Sequence, residues 1–135
     1  MLRRINISAA LIAVICFFLP WEQVSCGGAR DSLSGLDLAR HDQTLLFLIP
    51  LLMLAVIVAG VLRRRSEKPA TEAIISIAAG CVSAYLMNRQ RVRVHDEAGL
   101  ISAQLTGWFW VAFLSVLAVL ITSIGMLVNR RQETL

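Results

Sequence analysis

The sequence predicts an all-α membrane protein: a four-transmembrane-helix bundle with both termini in the cytoplasm and a small external β-hairpin or three-stranded cap. Three observations lead there. The 135-residue chain is 57% hydrophobic and 16% charged, whereas an ordinary soluble domain carries about 25% charge. Four runs, residues 5–21, 44–62, 73–88 and 106–128, contain no Asp, Glu, Lys or Arg. Basic residues are shared unequally between the segments that separate these runs.

A helix needs about 17 to 25 residues to cross the hydrocarbon core. The second and fourth runs suffice alone; the first and third draw on their polar flanks. The expected organisation is one four-span domain, with spans near 5–21, 44–62, 71–88 and 106–128. Residues 22–43 and 89–105 are then external loops, and 63–70 a cytoplasmic one. The first run also has the basic start and apolar centre of a signal peptide. Lipoprotein cleavage before Cys26 would want an aliphatic residue where Gln23 stands, and Glu22 intervenes, so a retained span is the preferred reading.

Orientation follows from Lys and Arg, which stay on the cytoplasmic side. The two termini and the 63–70 loop share Arg3, Arg4, Arg63, Arg64, Arg65, Lys68, Arg130 and Arg131. The other side has Arg30, Arg40, Arg89, Arg91 and Arg93, offset by Glu22, Asp31, Asp37, Asp42, Asp96 and Glu97. This places both termini in the cytoplasm, with the bacterial inner (plasma) membrane as the expected location. The net charge of +4 then serves orientation and contact with anionic lipid, not nucleic-acid binding.

Small residues let helices approach closely in lipid. The third run offers Ser76, Gly80 and Ala84, spaced by four; the fourth offers Ser115, Ala118, Thr122 and Gly125. Ala9, Ala13 and Cys16 in the first run and Ala55 and Ala59 in the second extend the pattern. Cys16 and Cys81 fall at similar depth, about 8 and 10 Å below the outer helix ends at 1.5 Å per residue, and read as packing residues.

Outside, RQRVRVH at 89–95 alternates Arg89, Arg91, Arg93 and His95 with Val92 and Val94, a strand signal. DEAG would turn the chain, LISAQL would return as a second strand, and EQVSC at 22–26 would add a third before Gly27 and Gly28. Cys26 would then share the inner face with Glu22 and Val24 as a structural residue, while the arginines face Glu22, Asp31 and Asp37. Ser34 followed by Asp37 resembles a capping box opening a short helix.

The same residues limit function. The charge-free runs argue against a self-contained proton-coupled transporter. His41 and His95 lie in loops, which argues against axial haem ligation, and a single external cysteine argues against disulfide-generating chemistry. His41, Asp42, His95 and Asp96 form a weak candidate metal set, with solvated loop residues the plainer account. No nucleophile, base and orienting group can be assembled, so neither an enzyme nor a cofactor is expected. Trp21, Trp108 and Trp110 stand at the outer interface, as anchors or as the wall of an apolar-ligand site.

LPWEQVSCGG, SLSGLDLA and GLISAQLTGWFWVAF resemble a loose group of small bacterial four-helix integral membrane proteins without an established activity. The resemblance implies fold and location alone. A second, architectural likeness is to claudin-type four-span proteins. Here, however, Cys26 is alone in the first loop and Gly35-Leu36 is followed by Asp37, so no junction or pore function is implied. The expected function is a non-catalytic accessory or stabilising subunit of a larger membrane complex, with membrane lipids and other subunits or self-association as partners. The alternative is binding or transport of a lipid, quinone or other apolar ligand between the first and fourth helices, near Trp21 and Trp108.

Overall fold

A computed structural model describes residues 1–41, 43–62, 69–97 and 102–135. Their order is α1 (Leu2–Phe17), β1 (Pro20–Cys26), β2 (Ala29–Ser34), α2 (Gly35–His41), a 3-10 turn (Thr44–Phe47), α3 (Leu48–Leu62), α4 (Pro69–Glu97), β3 (Ser102–Leu105) and α5 (Gly107–Glu133). Among the described residues, three helical segments are long and apolar enough to cross a membrane: Thr44–Leu62, Ala70–Asp96 and Gly107–Glu133. The expected first span over 5–21 is shorter as a helix, because α1 stops at Phe17 after 16 residues. Pro20 explains the stop, since a proline biases the residue before it, Leu19, away from helical backbone.

α1 packs on α5 and α3, and α4 packs on the same two helices. The buried face of α1 is Asn6, Ala9, Ala10, Ala13, Cys16 and Phe17, mostly small residues at helical spacing that permit close approach. Directions follow from individual contacts. Asn6 meets Thr122 and Trp21 meets Phe109, so α1 and α5 are antiparallel. Arg3 meets Glu72 and Asn6 meets Ser76, so α1 and α4 run the same way. The chain's start, the end of α3 at Gly60 beside Ile7 and Glu72, the start of α4 and the end of α5 therefore share one end of the molecule. The sheet occupies the other.

The small-residue stripes lie largely at helix contacts. Ser76 and Gly80 are buried and Ala84 half-buried; Ser115 and Thr122 are buried, Ala118 and Gly125 half-buried. Gly80 is the tightest: a Cβ there would sit 2.7 Å from Leu120 Cγ. Cys16 is buried while Cys81 is exposed, and both are free thiols, so the two packing cysteines do not share an environment.

The cap has three strands in the order β2-β1-β3, both pairings antiparallel. EQVSC is therefore a strand as expected, and is the central one. Gly27 and Gly28, with φ of 57° and 89°, form the two-residue turn between Cys26 and Ala29. Positive φ at both centres fits the right-handed twist of a hairpin and explains the glycine pair. The register slips between Pro20 and Glu22, a bulge at Trp21 that breaks strict alternation. Trp21 and Glu22 are consequently both buried.

RQRVRVH is a correction. It is the last part of α4, not a strand, and the hairpin of the cap is β1–β2 rather than 89–105. Val92 is 46% exposed and Val94 5%, whereas an alternating strand would put both on one face. Gln90 and Val94, four apart, are both buried, and no Gly or Pro interrupts 81–97. Tertiary burial at helical period thus overrides a short period-two pattern. The capping box holds: Ser34 N–H and Oγ donate to Asp37 Oδ2 at 3.0 and 2.7 Å, and Asp37 N–H donates back to Ser34 Oγ at 3.2 Å. These bonds hold the Asp37 carboxyl below its usual range.

Candidate functional site

Polar side chains inside an otherwise apolar protein are the natural place to look for function. At the end where the chain starts, Asn6 on α1 joins three helices. Its Nδ2 donates to Ser76 Oγ at 3.4 Å, and its Oδ1 accepts from Thr122 Oγ1 at 3.1 Å and Ser123 Oγ at 3.4 Å. One turn nearer the end, Arg3 Nη2 bonds Glu72 Oε2 at 3.0 Å. Glu72 is 3% exposed and lies in the first turn of α4, where the helix dipole favours a carboxylate. The expectation of helices free of buried ionisable groups is corrected here: the charge-free run begins one residue too late to include this carboxylate.

At the sheet end, Gln90 Nε2 donates to Glu22 Oε2 at 3.4 Å, both residues being buried. This ties the central strand to α4. Glu22 thus takes the inner-face position expected of it, and Val24 is half-buried; the side chain of Cys26 lies outside the described residues. Along α4, Glu72, Ser76, Ser83 and Gln90 form one buried polar row. Arg3 Nε, Glu72 Oε1, Ser83 Oγ and Gln90 Oε1 are buried without a hydrogen-bond partner. The four-then-seven spacing of that row, 72, 76, 83 and 90, is the signal in the sequence that would have found it.

The tryptophans divide. Trp21 is 0% exposed, its Nε1–H donates to Cys16 O at 2.7 Å, and its ring meets Phe17 and Phe109 edge-on at 5.5 and 5.4 Å. It is a core residue; the space between α1 and α5 beside it is filled by protein. Trp108 and Trp110 are 49% and 42% exposed. Trp110 borders a cleft of about 680 Å³ with Arg91, Val92, Val94, His95, Gln104 and Leu105. A second cleft, about 640 Å³, is lined by Leu45, Leu86, Arg89, Val92, Arg93 and Asp96 among others. The arginines expected along one strand edge are thus divided between two sides of a helix.

Of the weak metal set, His41, His95 and Asp96 are exposed and Asp42 lies outside the described residues. Among the described residues no three His, Cys, Asp or Glu side chains converge. What is built is an interhelix clamp at one end and a strand-to-helix tie at the other. No family model, curated protein or solved structure matches the chain.

Proposed function

We propose that the chain is a non-catalytic integral membrane protein of the bacterial inner membrane, crossing it four times with both termini cytoplasmic, and that it is an accessory or stabilising subunit of a larger membrane complex. α1 completes the fourth crossing by way of its flanks: it lies along α5 from Leu2 beside Gly125 to Trp21 beside Phe109. The shared end of both termini, the end of α3 and the start of α4 fits the distribution of basic residues.

The observation that carries the subunit reading is the outward face of α4. It exposes Ile74, Ala78, Cys81, Val82, Tyr85 and Asn88, small and polar residues interleaved with apolar ones. The outward faces of α3 and α5 expose Leu51, Leu54 and Val58, and Leu114, Ile121 and Ile124, ordinary lipid-facing side chains. The small and polar positions Ala78, Cys81 and Asn88 on that face gain more from another helix than from acyl chains.

The test is a pull-down from native membranes in mild detergent through a C-terminal tag. A stoichiometric set of other membrane proteins is expected, and Ala78→Leu, which fills the face without touching the core, should release it. Recovery of the tagged chain alone, as monomer or homo-oligomer, would overturn the subunit reading.

A further inference from the structure

We infer that the cleft between the end of α4, β3 and the start of α5 binds one anionic phospholipid. Its phosphate would lie on Arg91, with His95 and Gln104 beside it, and its acyl chain along Val92, Leu105 and Trp110.

The first ground is length. α4 has 29 residues, about 43 Å at 1.5 Å per residue, while the hydrocarbon core is about 30 Å thick. The charge-free run ends at Asn88, so the surplus falls mainly on residues 89–97. These emerge at headgroup depth, where Trp110, one turn into α5, presents its half-exposed indole, as interfacial tryptophans do.

The second ground is helical geometry. Residues four apart share a face, so Arg91 and His95 look into this cleft and Arg89 and Arg93 into the neighbouring one. Among the described side chains, Asp96 lines the neighbouring cleft and not this one. The cleft therefore has a cationic, hydrogen-bond-donating rim above an apolar wall. A guanidinium forks onto phosphate oxygens in a way that matches their geometry. A free phosphate would leave the apolar wall unused, and a zwitterionic lipid would bring its own cation beside Arg91 together with its phosphate; an anionic phospholipid has neither fault.

The inference rests on the membrane reading but not on the subunit reading. The full chain, purified in mild detergent, is titrated with phosphatidylglycerol, phosphatidylcholine of the same acyl chains, and inorganic phosphate, and bound adducts are weighed by native mass spectrometry. Phosphatidylglycerol should be retained in preference to phosphatidylcholine. Arg91→Gln should weaken its retention about fivefold, the effect of one basic group beside an anionic lipid, and Arg91→Lys should restore part of it. The pair Arg130→Gln and Arg131→Gln, at the opposite end, should change nothing.

Equal retention of the two lipids, or equal loss in both arginine sets, would overturn the site. Displacement of phosphatidylglycerol by millimolar phosphate would reduce it to a simple anion site and overturn the lipid assignment. Recovery of the chain without detergent would remove the membrane premise. None of these outcomes depends on whether other subunits co-purify, so a failure here and a failure of the subunit reading are distinguishable.

Discussion

Asn6 ties three helices together: its amide donates to Ser76 on α4, and its oxygen shares the Thr122 and Ser123 hydroxyls of α5 with backbone carbonyls one turn back. In a membrane such bonds are worth about 0.6 kcal/mol each on average, so their value lies as much in fixing helix register as in stability. The Arg3–Glu72 pair is of a different kind. Breaking a buried pair costs about 3 to 5 kcal/mol when it strands a charge, but the Arg3 side chain is 32% exposed and water softens the loss. Arg3→Met is therefore expected to destabilise the detergent-solubilised protein by about 2 kcal/mol, as read by unfolding in a denaturing detergent. Adding Glu72→Gln should recover part of that loss, because the stranded carboxylate is then gone. Strict additivity of the two changes would show that the pair is not coupled. Neither residue was legible in advance. Arg3 reads as an orientation signal and Glu72 as the edge of a run, and they are 69 positions apart.

At the scale of elements, close approach can be tested at two glycines. A Cβ on Gly80 would fall 2.7 Å from Leu120 Cγ and 2.8 Å from its Cδ2; a Cβ on Gly60 would fall 2.9 Å from both Cγ1 and Cδ1 of Ile7. Gly80→Ala should cost about 1 to 3 kcal/mol, the usual range for overpacking, and Gly60→Ala, with the slightly wider gap, somewhat less in the same unfolding measurement. A reversed order would mean that α3 is held against α1 more rigidly than α4 against α5. The stripe containing Gly80 was readable because small residues recurring every fourth position need only helical geometry. The bend at Gly27-Gly28 and the capping box were readable too, since each involves residues within three or four positions; the hairpin itself was expected at 89–105, and β2 was not foreseen. The strand read into 89–95 failed because its seven residues fit a helix equally well until Gln90 and Val94 are seen to be buried together.

For the whole molecule, the arrangement of ends makes a direct forecast. Reporter fusions active only in the cytoplasm should give signal at both the N- and the C-terminus, and a periplasmic reporter inserted between Gly27 and Gly28, at the tip of the hairpin, should give signal there. A signal of opposite sense at the two termini would mean that α1 does not cross. Composition and run length alone determined that this chain is apolar, helical and sized for a membrane, and local chemistry determined a strand at 22–26, the glycine bend after it and the cap on α2. These properties belong to short segments, whose preferences act without partners. Only the tertiary structure decided that 89–97 continues α4, that Trp21 turns inward through a bulge, and that buried polar groups meet across separations of 68 to 117 residues. Such meetings depend on which faces of distant helices come together, and in an apolar interior an unpaired polar group costs enough that its partner, wherever it lies in the chain, selects the packing.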